Sequence, residues 1–256
     1  MIGALILAGS KNTGPLSTCS DEPYEALIPV GGRPMIDYVS EALRDSGRIG
    51  RTVVVGPEKE LREHVGGDVT FVPPGQRVMA VLAEAMDRFD GVEKVLIATA
   101  DIPLLTARAV TAFLDACGDM SRDIYYPVVS NRCIEERYPG NRRTYIPFRE
   151  GVFTGGNVFL VNPAVMPRCV EKGQALVEAR KNPLELSRLV GWTFLIRFLL
   201  HLVSLPEAED RVTRLLGVSG RVLVVDYPEI GVDVDKPGDL ALARRVLGEE
   251  GPLSCT

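Results

Sequence analysis

Short apolar runs alternate with amphipathic stretches through the first half of the chain. Residues 3–8 (GALILA), 27–30, 52–55 (TVVV), 69–72 and 95–98 (VLIA) are each too short for a helix. Each is closed by glycine, proline or a polar cluster, the pattern of a buried strand. Pro34 stands where a helix opens, and Met35, Ile36, Val39, Ala42 and Leu43 follow at helical spacing. Residues 76–89 predict an amphipathic helix with Val78, Val81, Leu82, Ala85 and Phe89 on one side. Thr106 is placed to cap a further helix running to about residue 116. Strands alternating with helices predict an α/β chain with a mostly parallel sheet covered on both faces, three layers in all.

The second half is less regular. Residues 124–129 and 156–161 predict strands, with an arginine-rich polar segment between them. Residues 183–217 predict several helices in succession, 221–225 a strand, and 239–247 a closing helix. No internal repeat is visible. The pattern therefore predicts one domain over 1–256, carrying a mostly helical insertion at about 165–217. The apolar stretch 192–203 is shorter than the roughly 20 residues that cross a bilayer, and Arg197 sits inside it. Thr193, Arg197 and His201 fall at i, i+4 and i+8, one polar stripe on an apolar helix. That favours a helix buried on most sides. A homodimer or partner contact through the 183–217 helices is the alternative, and membrane association ranks last.

Composition narrows the partners. The 256 residues carry 29 Lys and Arg against 34 Asp and Glu, a net charge of −5, which argues against nucleic acid or an anionic membrane. One segment departs from this balance: residues 132–149 set Arg132, Arg137, Arg142, Arg143 and Arg149 against Glu135 and Glu136, a local +3. Arginine forks suit phosphate, so this segment, with Arg142 and Arg143 at its centre, is a candidate contact for an anionic acceptor. A solvated loop is the plain alternative. Gly155, Gly156 and Asn157 just beyond it could let a substrate approach the backbone. With only His64 and His201 present, a histidine base or a multi-histidine metal site is nearly excluded. The five cysteines are scattered with no C-x-x-C pair, so reduced thiols are expected. The opening apolar run is too short for a signal peptide and lacks a basic leader, so the expected location is cytoplasmic.

In doubly wound sheets ligands bind beyond the carboxyl ends of the strands, so the residues just after each apolar run carry the chemistry. After the first strand come Gly9, Ser10, Lys11, Asn12, Thr13 and Gly14. The glycine spacing is that of a P-loop, but Pro15 and Leu16 stand where Lys and Ser/Thr belong, and G-x-G-x-x-G is absent. What remains is a loop of small residues whose amides could reach an anion, with one lysine; a structural turn fits equally well. Asp101 ends a strand among small residues, with Pro103 holding Ile102 extended. It offers a hard cation one carboxylate, or serves as a turn aspartate. In an extended segment Asp233 and Asp235 face one side and could complete a metal site with Asp101. Asp235 could equally open a turn before the last helix.

Four segments, LILAG at 5–9, EALIPVGGRPMIDYV at 25–39, ADIPLL at 100–105 and VDVDKPGDLALA at 232–243, resemble the molybdenum cofactor guanylyltransferase-like nucleotidyltransferases. Their fold is the Rossmann-like, GT-A type shared with nucleotide-sugar pyrophosphorylases and glycosyltransferases, the nucleotide-diphospho-sugar transferase fold. The resemblance covers residues 1–129 and 221–248, and the helical insertion has no counterpart in it. It implies triphosphate binding by the first loop, Leu7, Ala8, Gly9, Ser10, Lys11 and Gly14. It further implies base recognition near Pro74, Gly75 and Gln76, and Mg2+ held by Asp101 with Asp233 or Asp235. Position 99 is threonine, so the glycosyltransferase D-x-D is absent.

Departures from the family pattern lie in the first loop. Active members carry G-G-x-G-x-R there and a lysine ahead of the A-L-x-P run. Here Ser10 replaces the second glycine, no arginine follows Gly14, and Glu25 holds the lysine position. A cation that stabilises a transferring phosphoryl group contributes about 10³–10⁵ in rate, or about 4–7 kcal/mol. The expectation is a Mg2+-dependent transfer of a nucleoside monophosphate from a nucleoside triphosphate to a phosphorylated small-molecule acceptor, with pyrophosphate leaving. Lys11 and Asp101 would be its catalytic residues, and an already ionised acceptor needs no general base. The alternative is a nucleotide- or nucleotide-sugar-binding protein of the same fold with impaired catalysis. A subunit that binds a protein partner through its insertion comes third.

Overall fold

The computed structural model describes residues 1–179 and 183–248, and at 183, 184 and 186 the backbone alone. Strands β1 (Ile2–Leu7), β4 (Ile49–Val55), β5 (Val69–Val72) and β6 (Val95–Thr99) come from the predicted buried runs. All four pair in parallel, in the order β5-β4-β1-β6. β2 (Pro29–Val30) and β3 (Arg33–Pro34) form a separate small hairpin around Gly31 and Gly32, both at positive φ. Helix α1 (Met35–Asp45) begins one residue later than expected, because Pro34 is held extended in β3 and acts as its N-cap. A short α2 (Glu58–Leu61) follows β4, and α3 (Val78–Met86) follows β5. Val78, expected on the buried side of α3, is exposed; Leu82, Ala85 and Met86 carry its packing. α4 (Ala107–Ala116) starts where expected, with the Thr106 hydroxyl accepting from the Ala109 amide at 3.1 Å.

Beyond α4 the sheet turns mixed. β7 (Ile124–Ser130) is followed by α5 (Asn131–Arg137), then by the hairpin β8 (Ile146–Phe148) and β9 (Gly151–Gly155) and by β10 (Val158–Val161). α5 and the hairpin occupy the segment that hydropathy assigned to a polar connection. β10 runs antiparallel between β6 and β7, and β9 pairs antiparallel with the far end of β7. Four helices follow: α6 (Met166–Ala179), α7 (Pro183–Val190), α8 (Trp192–Leu199) and α9 (Leu205–Leu216). β11 (Gly220–Val224) then joins β7 in parallel, and α10 (Pro237–Val246) closes the fold.

Alternation along the strands sorts the core into two faces. Ala4, Ile6, Val54, Leu96 and Ala98 pack with α1, α4 and α10, whereas Leu5, Val53, Val55 and Ile97 pack with α3. Val165, Met166 and Cys169 join this second face. The first helix of the insertion is thus part of the sheet's cover. The expectation for the stretch 192–203 is corrected. Helix α8 is eight residues long and buries only Leu195, while Trp192, Ile196, Leu199, Leu200 and Leu202 are half or more exposed. It stops because the chain must return to the sheet edge. His201 takes a positive φ of 59°, and the buried Val203 then accepts from the Arg149 amide at 3.1 Å. The expectation of reduced thiols holds for Cys117, Cys133 and Cys169 and is corrected for Cys19, which is disulfide-bonded; Cys255 lies outside the described residues.

Asp123 sews the insertion's two ends to β7. Its carboxylate accepts from the Ser219 amide and hydroxyl, each at 2.8 Å, and from the Asn162 side chain at 3.2 Å. The three bonds are only partly shielded from water, so together they contribute on the scale of one buried hydrogen bond to a charged group, about 1.5–3 kcal/mol. Asp123→Ala is therefore expected to destabilise the protein by about 2–3 kcal/mol, read as a lower urea midpoint at unchanged m-value.

Candidate functional site

The last crossing of the chain builds the site. After β11 the backbone runs back over the carboxyl ends of the strands as an extended strap. Val225 donates to Val128 at 3.0 Å, Asn157 donates to Ile230 at 2.8 Å, and Val234 donates to Asp101 at 2.8 Å. Two glycines let it pass. A Cβ on Gly156 would stand 2.8 Å from both Ile230 and Pro127, and one on Gly231 would stand 3.2 Å from Thr154 and Val129. The space beside Gly156, expected to admit a substrate, is thus filled by the chain itself. Within the strap the period of two works as expected. Val232 and Val234 are 2% and 1% exposed, so Asp233 and Asp235 project from the other side.

That side faces Asp101. One carboxylate oxygen from each of Asp101, Asp233 and Asp235 lies within 4.8 Å of the others. Oxygens on opposite sides of a Mg2+ ion, at bonds of about 2.0–2.1 Å, are about 4.2 Å apart. The three therefore stand at little more than the spacing one such ion imposes. The Asp101 Oδ1 is buried and makes no hydrogen bond of normal geometry, with the Thr99 hydroxyl its neighbouring donor. Burial pushes the Asp101 carboxyl above its ordinary value and outweighs the opposing Thr99 hydroxyl; the Asp235 carboxylate also raises it, and Arg143 opposes it more weakly. An all-carboxylate donor set with an unpartnered oxygen fits a hard divalent cation.

Asp233 differs from its neighbours in having a cation already. The Arg143 guanidinium lies against its carboxylate, donates to its carbonyl at 2.8 Å and stands 3.6 Å from Asp239. Asp239 is 5% exposed, and its Oδ2 accepts from the Asp235 and Lys236 amides at 3.2 and 3.1 Å. That arrangement pins the strap at the first turn of α10 and aims Asp235. Asp101 and Asp235 are the carboxylates left unbalanced.

The first loop and the 74–76 turn, far apart in sequence, come together as expected. A Cβ on Gly9 would stand 2.6 Å from that of Pro74, so only glycine allows the approach. Leu7 ends β1, its carbonyl accepting from Ala100 at 3.0 Å, and the Ala8 amide donates to Val55 at 2.8 Å. Ser10, Lys11, Gly75 and Gln76 are exposed, and Gly14 is half-buried. Asn12 holds the loop closed, donating to the Ser20 and Glu22 carbonyls at 2.8 and 3.0 Å. The Glu25 amide donates to Ser10 at 3.0 Å, which folds Glu25 back under the loop. Burial, then Asp101, then Asp235 push its carboxyl above the ordinary range, so the acid in the lysine position faces the acidic cluster.

Of the five arginines in 132–149, Arg142 and Arg143 line a cavity of about 140 Å³ with Thr154, Gly155, Asn157, Asp233, Asp235 and Lys236. Arg132 is spent on Glu136, four residues on, and Arg137 lies over the Tyr138 ring. His64 binds Asp37 at 3.1 Å, away from the cavity, and His201 is exposed beyond α8. Asp239, Thr154 and Lys236 are the site residues that sequence reading missed. Asp239 sat in plain view as the first acid after Pro237, but only the strap reveals what it holds.

Comparison with known proteins bears on the family and the fold. The model of the MobA-like NTP transferase domain matches residues 4–189. A hypothetical transferase from Thermus thermophilus, known as a structure, is 38% identical with a TM-score of 0.82, over 94% of this chain and all of its own. The bifunctional protein GlmU of Geotalea daltonii is 30% identical over 122 residues, 44% of this chain and 25% of that protein. GlmU of Cupriavidus pinatubonensis is 34% identical over 104 residues, 39% of this chain and 23% of its own. The chain thus matches about a quarter of the length of these curated relatives. A CMP:2-keto-3-deoxy-manno-octonic acid synthetase bound to CTP shares the fold at 16% identity, with a TM-score of 0.61 over 96% of this chain and 98% of its own. The order of strands, the two-faced core and the loops at their carboxyl ends are those of the nucleotide-diphospho-sugar transferase fold. The family match spans most of the sheet, the first loop and the 74–76 turn, and on it the chain belongs to the MobA-like NTP transferase domain family.

Proposed function

We propose that the protein transfers a nucleoside monophosphate from a nucleoside triphosphate to a phosphorylated small-molecule acceptor, releasing pyrophosphate. The observation that carries this reading is the cluster of Asp101, Asp233 and Asp235 at the strand ends, beside a loop of small residues. The amides of residues 7–14 and the Lys11 side chain are suited to the triphosphate, and Gly75 with Gln76 to the base. Asp101 and Asp235 would hold Mg2+, which when bound neutralises charge on the phosphates. Asp233 holds Arg143 in place at the cavity wall, and Arg142 is the free fork for the acceptor's anion. An ionised acceptor oxygen forms a bond to the α-phosphorus as the α–β bridging bond breaks. Pyrophosphate departs with that electron pair. No proton has to be removed, which agrees with both histidines lying elsewhere.

A second reading has its own support. Glu25 turns a carboxylate toward Asp101 and Asp235 where the family pattern has a cation, which favours nucleotide binding with impaired catalysis. Pyrophosphate release, assayed over the four nucleoside triphosphates with phosphorylated sugars as acceptors, separates the two. The transferase reading expects Mg2+-dependent release that falls at least a hundredfold in Asp101→Asn. Tight nucleotide binding without release supports the second reading.

Asp101→Asn also separates function from stability. The folded-state pKa of Asp101 is raised, so its contribution to stability is present at low pH and is lost as pH rises through that pKa. At neutral pH and without metal, the variant is expected to melt a few degrees higher than the wild type. Added Mg2+ is expected to raise the wild-type Tm and leave the variant's unchanged. Glu25→Lys places a cation beside the triphosphate loop. It is expected to tighten nucleotide binding about tenfold, about 1.4 kcal/mol, by titration calorimetry; an unchanged or weaker Kd would mean that Glu25 does not face the nucleotide.

A further inference from the structure

A second cavity, of about 450 Å³, adjoins the first and is absorbed by none of the roles above. The two share Arg142, Lys236 and Asp239 as a common wall. The larger one continues along the first turns of α10 to Arg245 and back to Asn141. Its charges are unusual in an acidic protein. Arg142, Lys236 and Arg245 are exposed, and none has a carboxylate partner among the described residues. Asp239, the one acid in the wall, is committed to the Asp235 and Lys236 amides and faces Arg143. Asn141 is only 9% exposed, and its side-chain oxygen has no hydrogen-bond partner among the described residues. A buried amide oxygen without a partner is costly unless a ligand brings it a donor, such as a sugar hydroxyl. The N-terminal end of α10, whose dipole favours negative charge, opens beside these groups.

We infer that this cavity is an anion subsite, and that the acceptor carries a second anionic group in addition to the one that reacts. The inference rests on the transferase reading. The cavity of about 140 Å³ beside Asp235 takes the reacting phosphate, and the rest of the acceptor extends across Arg142 and Lys236. Its remote phosphate or carboxylate ends between Lys236 and Arg245, and a hydroxyl of the acceptor donates to the Asn141 oxygen beneath. The acceptor class is therefore a small bis-anionic molecule, such as a sugar carrying two phosphates or a phosphate and a carboxylate.

The test uses glucose 1-phosphate, glucose 1,6-bisphosphate and inorganic phosphate as probes, titrated calorimetrically at constant ionic strength with Mg2+ present. The wild type is expected to bind the bisphosphate at least tenfold more tightly than the monophosphate. In the variant Arg245→Gln, which changes only the second cavity, that advantage should fall below threefold. Nucleoside triphosphate binding should be unchanged in the variant, which keeps a failure of this subsite distinct from a failure of the transferase reading. Equal affinity of the wild type for the two sugars, or an advantage that survives in the variant, overturns the proposal. So does inorganic phosphate binding as tightly as the bisphosphate, which would make the cavity a site for a free anion.

Discussion

Carboxylates that meet at the end of a sheet repel one another, and burial raises the cost of each charge. Asp101, Asp233 and Asp235 are brought within 4.8 Å by backbone hydrogen bonds that are satisfied elsewhere. The Val234 amide is anchored on Asp101, and Asp239 takes the amides of Asp235 and Lys236. Arg143 balances Asp233. The remaining imbalance on Asp101 and Asp235 is a local instability for which a bound cation is the natural compensation. Strained or repulsive arrangements persist in folds where function requires them.

The same constraint orders the neighbourhood. With the acids concentrated on the strap and at Glu25, the cations near the strand ends come from several elements. Lys11 on the first loop and Arg142 after α5 lie on different sides of the cluster in the chain. Lys236 and Arg245 come from the strap and α10. The family pattern puts its cations in the first loop and ahead of the A-L-x-P run; here Glu25 holds the second position, and Arg142, Lys236 and Arg245 stand around the second cavity. A protein with a net charge of −5 can therefore still present a positive face to a small anion.

Where sequence reading worked, local physics governed. Parallel strands buried on both faces read as continuous apolar runs, so β1, β4, β5 and β6 were legible, as was the Thr106 cap. It failed in two kinds of place. The β8–β9 hairpin lies in a polar, arginine-rich stretch because its strands sit at the sheet margin, where alternation with solvent blurs the signal. The apolar helix α8 looked buried because hydropathy records composition, whereas its exposure depends on where neighbouring elements leave room. Of the arginines in 132–149, charge alone could not tell Arg142 and Arg143 from Arg132, whose partner is simply one helical turn away.

By itself, the sequence determined the alternating α/β order, the residue types available for chemistry and the side on which Asp233 and Asp235 face. These follow from periodicities of 3.6 and 2, which act within a few residues. Only the tertiary structure decided that Gly156 serves the strap, that Arg143 belongs to Asp233, and that the 139–142 turn meets α10 around a cationic cleft. Those relations join residues about 75 to 100 positions apart. They depend on how the last crossing of the chain packs over the strand ends, which no local pattern encodes.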